Sequence, residues 1–406
     1  VTLSSEKRIG SLRRSLARLE RLINAESCLV VDVEGQQIMA LRPNLPVIPA
    51  STMKVLVASV ALEVLGPEFT YKTKVQGIQD GGTISGDLYL VGGGDPVLVS
   101  AQYPTIEPLP TFNGTSIESL ADALIATGVK SISGSVIGDE SRYDSERFTP
   151  TLGLGIRMTE VGPLGALMIN DGVVTGNPIK PDNPALAAAQ EFTNILIAKG
   201  VNVSGAASVG VASSDIPVIA EISSRALPDV LAEMLTNSDN NTAELVLKEI
   251  GLSSLQQGTR LAGAQAMINK FTEMGIPTEG LTINDGSGLD RGNRVMCSTI
   301  QSLLLRDGGF GSLGTGLAVA GRTGTLGDLF TEGTVTQRLR GKTGTLTGVK
   351  GLAGFVTYDA ELASTFTLIL NGSGVSNQST YRPIWSALAE ALATFSSSPS
   401  ASEISP

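Results

Sequence analysis

Three short segments carry side chains that could cooperate in nucleophilic chemistry. Ser51-Thr52-Met53-Lys54 sets a hydroxyl and an amine three residues apart. On a helix that spacing puts both on one face, with Lys54 in reach of the Ser51 proton. A helix opening at the serine also aims backbone N–H groups and a positive dipole end at a developing oxyanion. Ser238-Asp239-Asn240 lies between two helical patterns, a loop position that presents side chains. Lys342-Thr343-Gly344-Thr345 offers a fixed cation, two hydroxyls suited to a carboxylate, and a glycine that admits a chain to a strand edge. Taken singly, each has a plainer reading: a capping serine with a surface lysine, or an Asx turn. Arg322-Thr323-Gly324-Thr325 is a near copy of the third segment. The copy at 342 is favoured because apolar and β-branched residues follow it, whereas Gly327-Asp328 breaks the other, which is expected in a structural loop.

Elements must hold these groups in place. Ile9, Leu12, Leu16 and Leu19 recur at helical spacing over 5–24, and 52–65 reads as a helix stopped by Gly66-Pro67. A hairpin is expected over 28–41, with Glu34-Gly35-Gln36-Gln37 as its turn. From 76 to 220, short β-branched runs alternate with Gly, Asp and Ser turns, which reads as one or two inserted β-rich domains with room for short helices. Helical patterns return at 227–236 and 242–250, the second opened by Asn241 with Glu244 as a capping box. Strands are expected at 348–358 and 365–370. A final helix follows, with Pro383 near its first turn and Trp385, Leu388, Leu392 and Phe395 on one face. The Ser/Pro-rich segment 396–406 is expected to be disordered.

Composition limits the chemistry further. The 406 residues include no histidine, so Ser-His-Asp and Cys-His mechanisms and imidazole-ligated metals are excluded, and lysine or a carboxylate must act as base. No metal or cofactor is expected. Cys28 and Cys297 cannot build a zinc site alone, and their apolar surroundings favour buried free thiols over a disulfide. A net charge of −10 repels phosphate backbones, so nucleic acid is not an expected partner. The chain has no apolar run of about 18 residues, so no membrane span is expected. It also opens without a leader pattern, so a signal peptide is expected to have been removed.

The three motifs in this order resemble the signature of β-lactamases and penicillin-binding proteins. Gly92-Gly93-Gly94-Asp95-Pro96, Pro163-Leu164-Gly165-Ala166-Leu167, Asp285-Gly286-Ser287-Gly288-Leu289 and Lys342 to Val349 narrow the resemblance to class C low-molecular-mass penicillin-binding proteins. These are D-alanyl-D-alanine carboxypeptidase/endopeptidases of the S13 type. The likeness spans about 27 to 390, and the long insertion between Lys54 and Ser238 fits it. Asp290 stands where serine is usual. The implied fold is α/β (α+β): a β-lactamase/transpeptidase-like domain over 1–75 and 221–395, with an antiparallel sheet flanked by helices, and a β-rich insertion over 76–220.

The resemblance also implies roles. Ser51 is the nucleophile, Lys54 its base, and Ser238 relays a proton to the leaving group with help from Lys342. Asn240 binds the substrate amide and orients Lys54. The N–H groups of Ser51 and Thr345 form an oxyanion hole, Thr343 and Thr345 hold a carboxylate, and Gly344 gives the strand edge clearance. Arg291 and Ser287 line the pocket for the peptide stem. Expected partners are peptidoglycan peptides, with β-lactams as inhibitors, in an extracytoplasmic location. Two rival readings stay open: a β-lactamase or esterase of the superfamily, and a non-catalytic peptidoglycan-binding or antibiotic-sensing module. The missing deacylating-glutamate motif and the long insertion weigh against the first, and the intact motifs against the second.

Overall fold

Alternation along one strand organises the catalytic half of the molecule. In β1 (Cys28–Val33), Leu29, Val31 and Val33 face one side of the sheet, so Cys28, Val30 and Asp32 face the other. The structure is a computed structural model that describes residues 3–103, 109, 111–177 and 179–396. β1 pairs with β2 (Gln36–Leu41) through a two-residue turn in which Glu34 and Gly35 both take positive φ, 51° and 73°. Gln36 and Gln37 therefore belong to the strand and not to the turn, a correction of the sequence expectation. Later in the chain come β3 (Ala318–Val319), β4 (Leu339–Leu346), β5 (Val349–Thr357) and β6 (Ala363–Asn371). The sheet runs β3-β4-β5-β6-β1-β2, with every neighbouring pair antiparallel.

Each face of this sheet has its own cover. α1 (Leu3–Glu20) and the C-terminal helix Gln378–Ser396 bury Leu12, Leu16, Trp385 and Leu392 against Leu29, Val31, Leu352 and Phe366. That helix begins at Gln378, so Pro383 lies inside it, just past the first turn. On the other side, Gln301 of the helix Cys297–Asp307 donates to Asp32 Oδ2 at 2.7 Å and to the Thr365 carbonyl at 3.0 Å. Cys28 points the same way and forms a disulfide with Cys297, the Cα atoms 6.1 Å apart and both residues fully buried. The preferred expectation of free thiols is overturned. Hydrophobic surroundings suit either form, and only the strand alternation brings the two sulfurs together.

The chain divides into two compact units. One holds residues 1–59, 234–238 and 268–406, and the other 60–233 and 239–267. These limits differ from the expected 75/76 and 220/221, because the segments 60–75, 221–233 and 239–267 group with the inserted stretch. The second unit carries a five-stranded sheet in the order Ser208–Val209, Val136–Asp139, Leu88–Val91, Lys72–Gln76, Val218–Ser223. Its first two pairings are parallel. Helices Ile117–Ala126 and Pro184–Ala198 share its core through Leu120, Leu124, Ala188 and Phe192. Parallel pairing needs crossover connections, so this unit is mixed α/β where a β-rich texture with short helices was expected.

Among the described residues, no helix is long and apolar enough to cross a membrane. The expected disordered tail lies outside the described residues from 397 onward.

Candidate active site

Ser51 sits in a tight turn, Ala50–Thr52, that leads directly into α2 (Met53–Leu65). Three restraints fix the approach. Asn371 at the end of β6 accepts from the Ile48 N–H at 2.8 Å and donates to the Ile48 carbonyl at 3.1 Å. Val47 and Pro46 pair with Val295 and Met296. Ala50 is held at φ 47°, a left-handed conformation that is uncommon for alanine and persists only when surroundings impose it.

Lys54 follows one helical step on. Its Nζ lies 3.1 Å from Ser51 Oγ and 2.8 Å from the Ser287 carbonyl oxygen, and the residue is fully buried. The carbonyl belongs to a loop knitted by Asp285, whose carboxylate accepts from the N–H groups of Gly288 (2.9 Å) and Asp290 (2.6 Å) and from Asn293 Nδ2 (2.7 Å). Burial raises the Asp285 pKa, and the Asn293 amide and these N–H groups offset part of that shift. Ser287, expected to line the peptide-stem pocket, is itself fully buried and meets Lys54 through its carbonyl. Asp290, at the position where serine is usual, accepts from the Gly292 N–H at 2.6 Å and closes the turn.

The third motif lies within β4, a strand that precedes the one expected at 348–358. Gly344 abuts the nucleophile turn: a Cβ there would stand 2.9 Å from the Pro49 carbonyl and 3.2 Å from the Thr52 nitrogen. Lys342 is fully buried, and its Nζ donates to the Thr343 carbonyl at 3.0 Å. Burial first, and the Lys54 cation second, lower its pKa well below that of ordinary lysine. The near copy forms a turn after β3, in which Thr323 Oγ1 accepts from the Val319 N–H at 2.9 Å. Its Thr325 hydroxyl accepts from Thr343 Oγ1 at 2.9 Å, so this loop braces the motif it imitates.

Along the chain, the middle motif falls at a unit boundary, with Ser238 in the first unit and Asp239 and Asn240 in the second. Ser238 closes the helix Leu227–Asn237 with φ 64°. Just before it, the Thr236 hydroxyl donates to the Gly316 carbonyl at 2.8 Å, and the Thr236 carbonyl leaves no room for a Cβ at Gly324. Asp239 caps the helix Asn240–Leu255 by accepting from the Thr242 N–H at 2.8 Å. The cap is thus Asp239 and not Asn241, whose side chain accepts from the Gly162 N–H at 2.6 Å. In the second unit Asn240 Nδ2 donates to the Glu160 carbonyl at 2.7 Å. Arg291 donates to the Thr347 carbonyl at 2.8 Å and borders a cavity of about 620 Å³ with Arg294, Glu26 and Ser373.

A helix-borne serine and lysine beside a motif-bearing sheet strand define a serine acyl-transferase of the penicillin-binding class. The chain matches the D-Ala-D-Ala carboxypeptidase 3 (S13) family over residues 10–181 and 175–394, and it belongs to that family. Its enzyme class is therefore that of a serine-type D-Ala-D-Ala carboxypeptidase. It is 29% identical to a D-alanyl-D-alanine carboxypeptidase of Actinomadura sp. (strain R39), over 85% of this chain and 77% of the relative. A carboxypeptidase of Mycobacterium tuberculosis is 28% identical over 84% of this chain and 74% of its own. The fold matches the crystal structure of penicillin binding protein 4 from Haemophilus influenzae with a TM-score of 0.77 at 20% identity, covering 93% of this chain and 99% of that one. The same protein solved with a β-lactam matches at 0.71, at 20% identity, over 92% and 98% of the two chains.

Proposed function

We propose that this chain cleaves peptidoglycan peptides that end in, or are cross-linked next to, D-Ala-D-Ala, through an acyl-enzyme on Ser51. The observation that carries the reading is the 3.1 Å approach of Lys54 Nζ to Ser51 Oγ, with the amine held from behind by the Ser287 carbonyl. Lys54 takes the hydroxyl proton as Ser51 Oγ bonds to the carbonyl carbon of the penultimate D-Ala. The N–H groups of Ser51 and Thr345 receive the oxyanion. The C–N bond then breaks, and a proton relayed through Ser238, assisted by Lys342, leaves on the amine of the departing D-Ala. Water hydrolyses the Ser51 ester. Asn240 holds the substrate amide, Thr343 and Thr345 hold the terminal carboxylate, Gly344 leaves room for the peptide, and Arg291 and Ser287 belong to the stem pocket.

Acylation by β-lactams follows from the same chemistry, because the strained ring amide beside a carboxylate imitates D-Ala-D-Ala. The β-lactam complex of the H. influenzae protein supports it. The Cys28–Cys297 disulfide supports an extracytoplasmic location, where such bonds persist. Pairing of Lys72–Gln76 with Val218–Ser223, at the two ends of the 76–220 segment, supports reading that segment as an insertion into a transpeptidase-like domain.

Intact-protein mass spectrometry after brief exposure to benzylpenicillin tests the proposal. One added drug mass on the Ser51 peptide, absent in Ser51→Ala, is expected. Digestion of purified peptidoglycan should release free D-Ala or resolved cross-links. No adduct, or rapid return to the unmodified mass with hydrolysed drug accumulating, would sink the reading.

A further inference from the structure

Thr345 and Lys350 are register partners across the β4–β5 hairpin, so their side chains leave the sheet on one face. Lys350 Nζ donates to Thr345 Oγ1 at 2.8 Å. The same ammonium lies 4.3 Å from the ring centre of Tyr381 and 5.1 Å from that of Trp385. Those rings meet edge to face at 4.9 Å, and both are buried in the packing of the C-terminal helix. A lysine side chain on a surface hairpin ordinarily samples many rotamers. Here two aromatic faces confine the cation while its stem covers apolar surface.

We propose that Lys350 is a positioning residue that turns the Thr345 hydroxyl into a dedicated donor for the carboxylate next to the scissile bond, and so makes the site select ligands carrying that carboxylate. The inference rests on the D,D-peptidase reading, in which Thr345 is a carboxylate ligand. A threonine hydroxyl has one proton and two lone pairs, and it rotates to suit its surroundings. An ammonium can only donate, so the hydrogen bond from Lys350 occupies a lone pair and leaves the Thr345 proton to point elsewhere. Accepting that bond also polarises the hydroxyl and strengthens its own donation. The cation adds selectivity. Burial, and then the nearby Arg382, lower the Lys350 pKa, and an arriving anion relieves that unfavourable setting where a neutral ligand does not.

Lys350→Met keeps the length and the apolar contacts with Tyr381 and Trp385 but removes the donor and the charge. Second-order acylation rates of Ser51 are measured for benzylpenicillin and for its carboxylate-masked methyl ester. The substitution should lower the ratio of the two rates about tenfold or more, the scale of a hydrogen bond to a charged group. Lys350→Arg should recover part of the ratio. In a Thr345→Val background, Lys350→Met should cost little further, because the effect runs through the hydroxyl. Equal losses on both ligands, or losses that add in the double variant, would make Lys350 a brace of the hairpin and overturn the inference. If Lys350→Met melts early, Lys350→Leu, which also lacks the donor and the charge, carries the same comparison. Failure of the unsubstituted protein to be acylated overturns the D,D-peptidase reading and this inference together; normal acylation with an unchanged ratio in the variants overturns the inference alone.

Discussion

Gly288 is packed against Ala50 so closely that a Cβ on the glycine would stand 1.9 Å from the Ala50 carbonyl oxygen. Gly288 also has φ +84°, which disfavours any side chain there. The contact joins the loop that supplies the Ser287 carbonyl to the turn that carries Ser51. Gly288→Ala must push these two segments apart and stretch the Lys54 contacts with both. Displacement by about 1 Å can lower a rate about 10²-fold, so acylation of Ser51 should fall by at least that factor. Circular dichroism separates misfolding from misplacement. A folded Gly288→Ala protein acylated at the normal rate would show that this packing does not set the nucleophile.

The disulfide joins β1 to the first residue of the helix that covers it, across a sequence separation of 269. Closing so long a loop restricts the unfolded chain strongly. Cys28→Ser should therefore lower stability by about 2–5 kcal/mol. Thermal melting with and without reductant checks this. Reductant should destabilise the unsubstituted protein and leave Cys28→Ser unaffected.

What the sequence disclosed and what it hid divide on distance along the chain. Ser51 and Lys54 were legible because one helical turn fixes their geometry, and the apolar faces of α1 and the final helix were legible from their period. The Ser287 carbonyl, 233 residues from Lys54, was invisible because a main-chain oxygen leaves no mark in residue type. Asn371, which grips both main-chain groups of Ile48, looks like any polar residue ending a strand. In the inserted segment a texture of short strands was visible, but whether a strand pairs parallel or antiparallel depends on a partner that local texture does not name. The cysteines failed in the same way: their surroundings were read correctly, and their meeting was decided by strand alternation plus a helix start hundreds of positions later.

Asp95 yields a prediction that is independent of catalysis. It is 3% exposed, and its Oδ1 accepts from the Val97 N–H at 3.0 Å. Burial, only partly offset by hydrogen bonds from Thr115 and Val97, raises its pKa from 3.8 to about 6. The folded protein therefore holds a proton on Asp95 between those values where the unfolded chain does not, and stability falls as pH rises through that window. Above it the full penalty is present, at most about 3 kcal/mol for a shift of roughly two units. Asp95→Asn should raise the melting temperature at pH 7, with the gain shrinking as pH falls from about 6 toward 3.8. A gain that does not vary with pH would show that the charge is not its origin.

Lys342 provides the pH test of the site itself. Burial is the larger cause of its lowered pKa and the Lys54 cation the smaller. Lys54→Met removes the second cause only, so the Lys342 pKa should rise but stay below the ordinary 10.5. The stability effect has a definite sign. Between the lowered folded value and 10.5 the unfolded chain binds a proton that the folded one does not, so stability rises with pH there; below the folded value the whole penalty is present. Activity should move in the same direction. As pH falls, protonated amines leave no acceptor for the Ser51 proton, and the acylation rate should drop on the acid side. Titration of 13C-labelled lysines by NMR, with and without Lys54→Met, reads the pKa directly, and acylation rates across pH read its consequence. A Lys342 resonance that titrates near 10.5 in the unsubstituted protein, together with acylation that stays flat into acid, would remove the paired-lysine account of how Ser51 is activated.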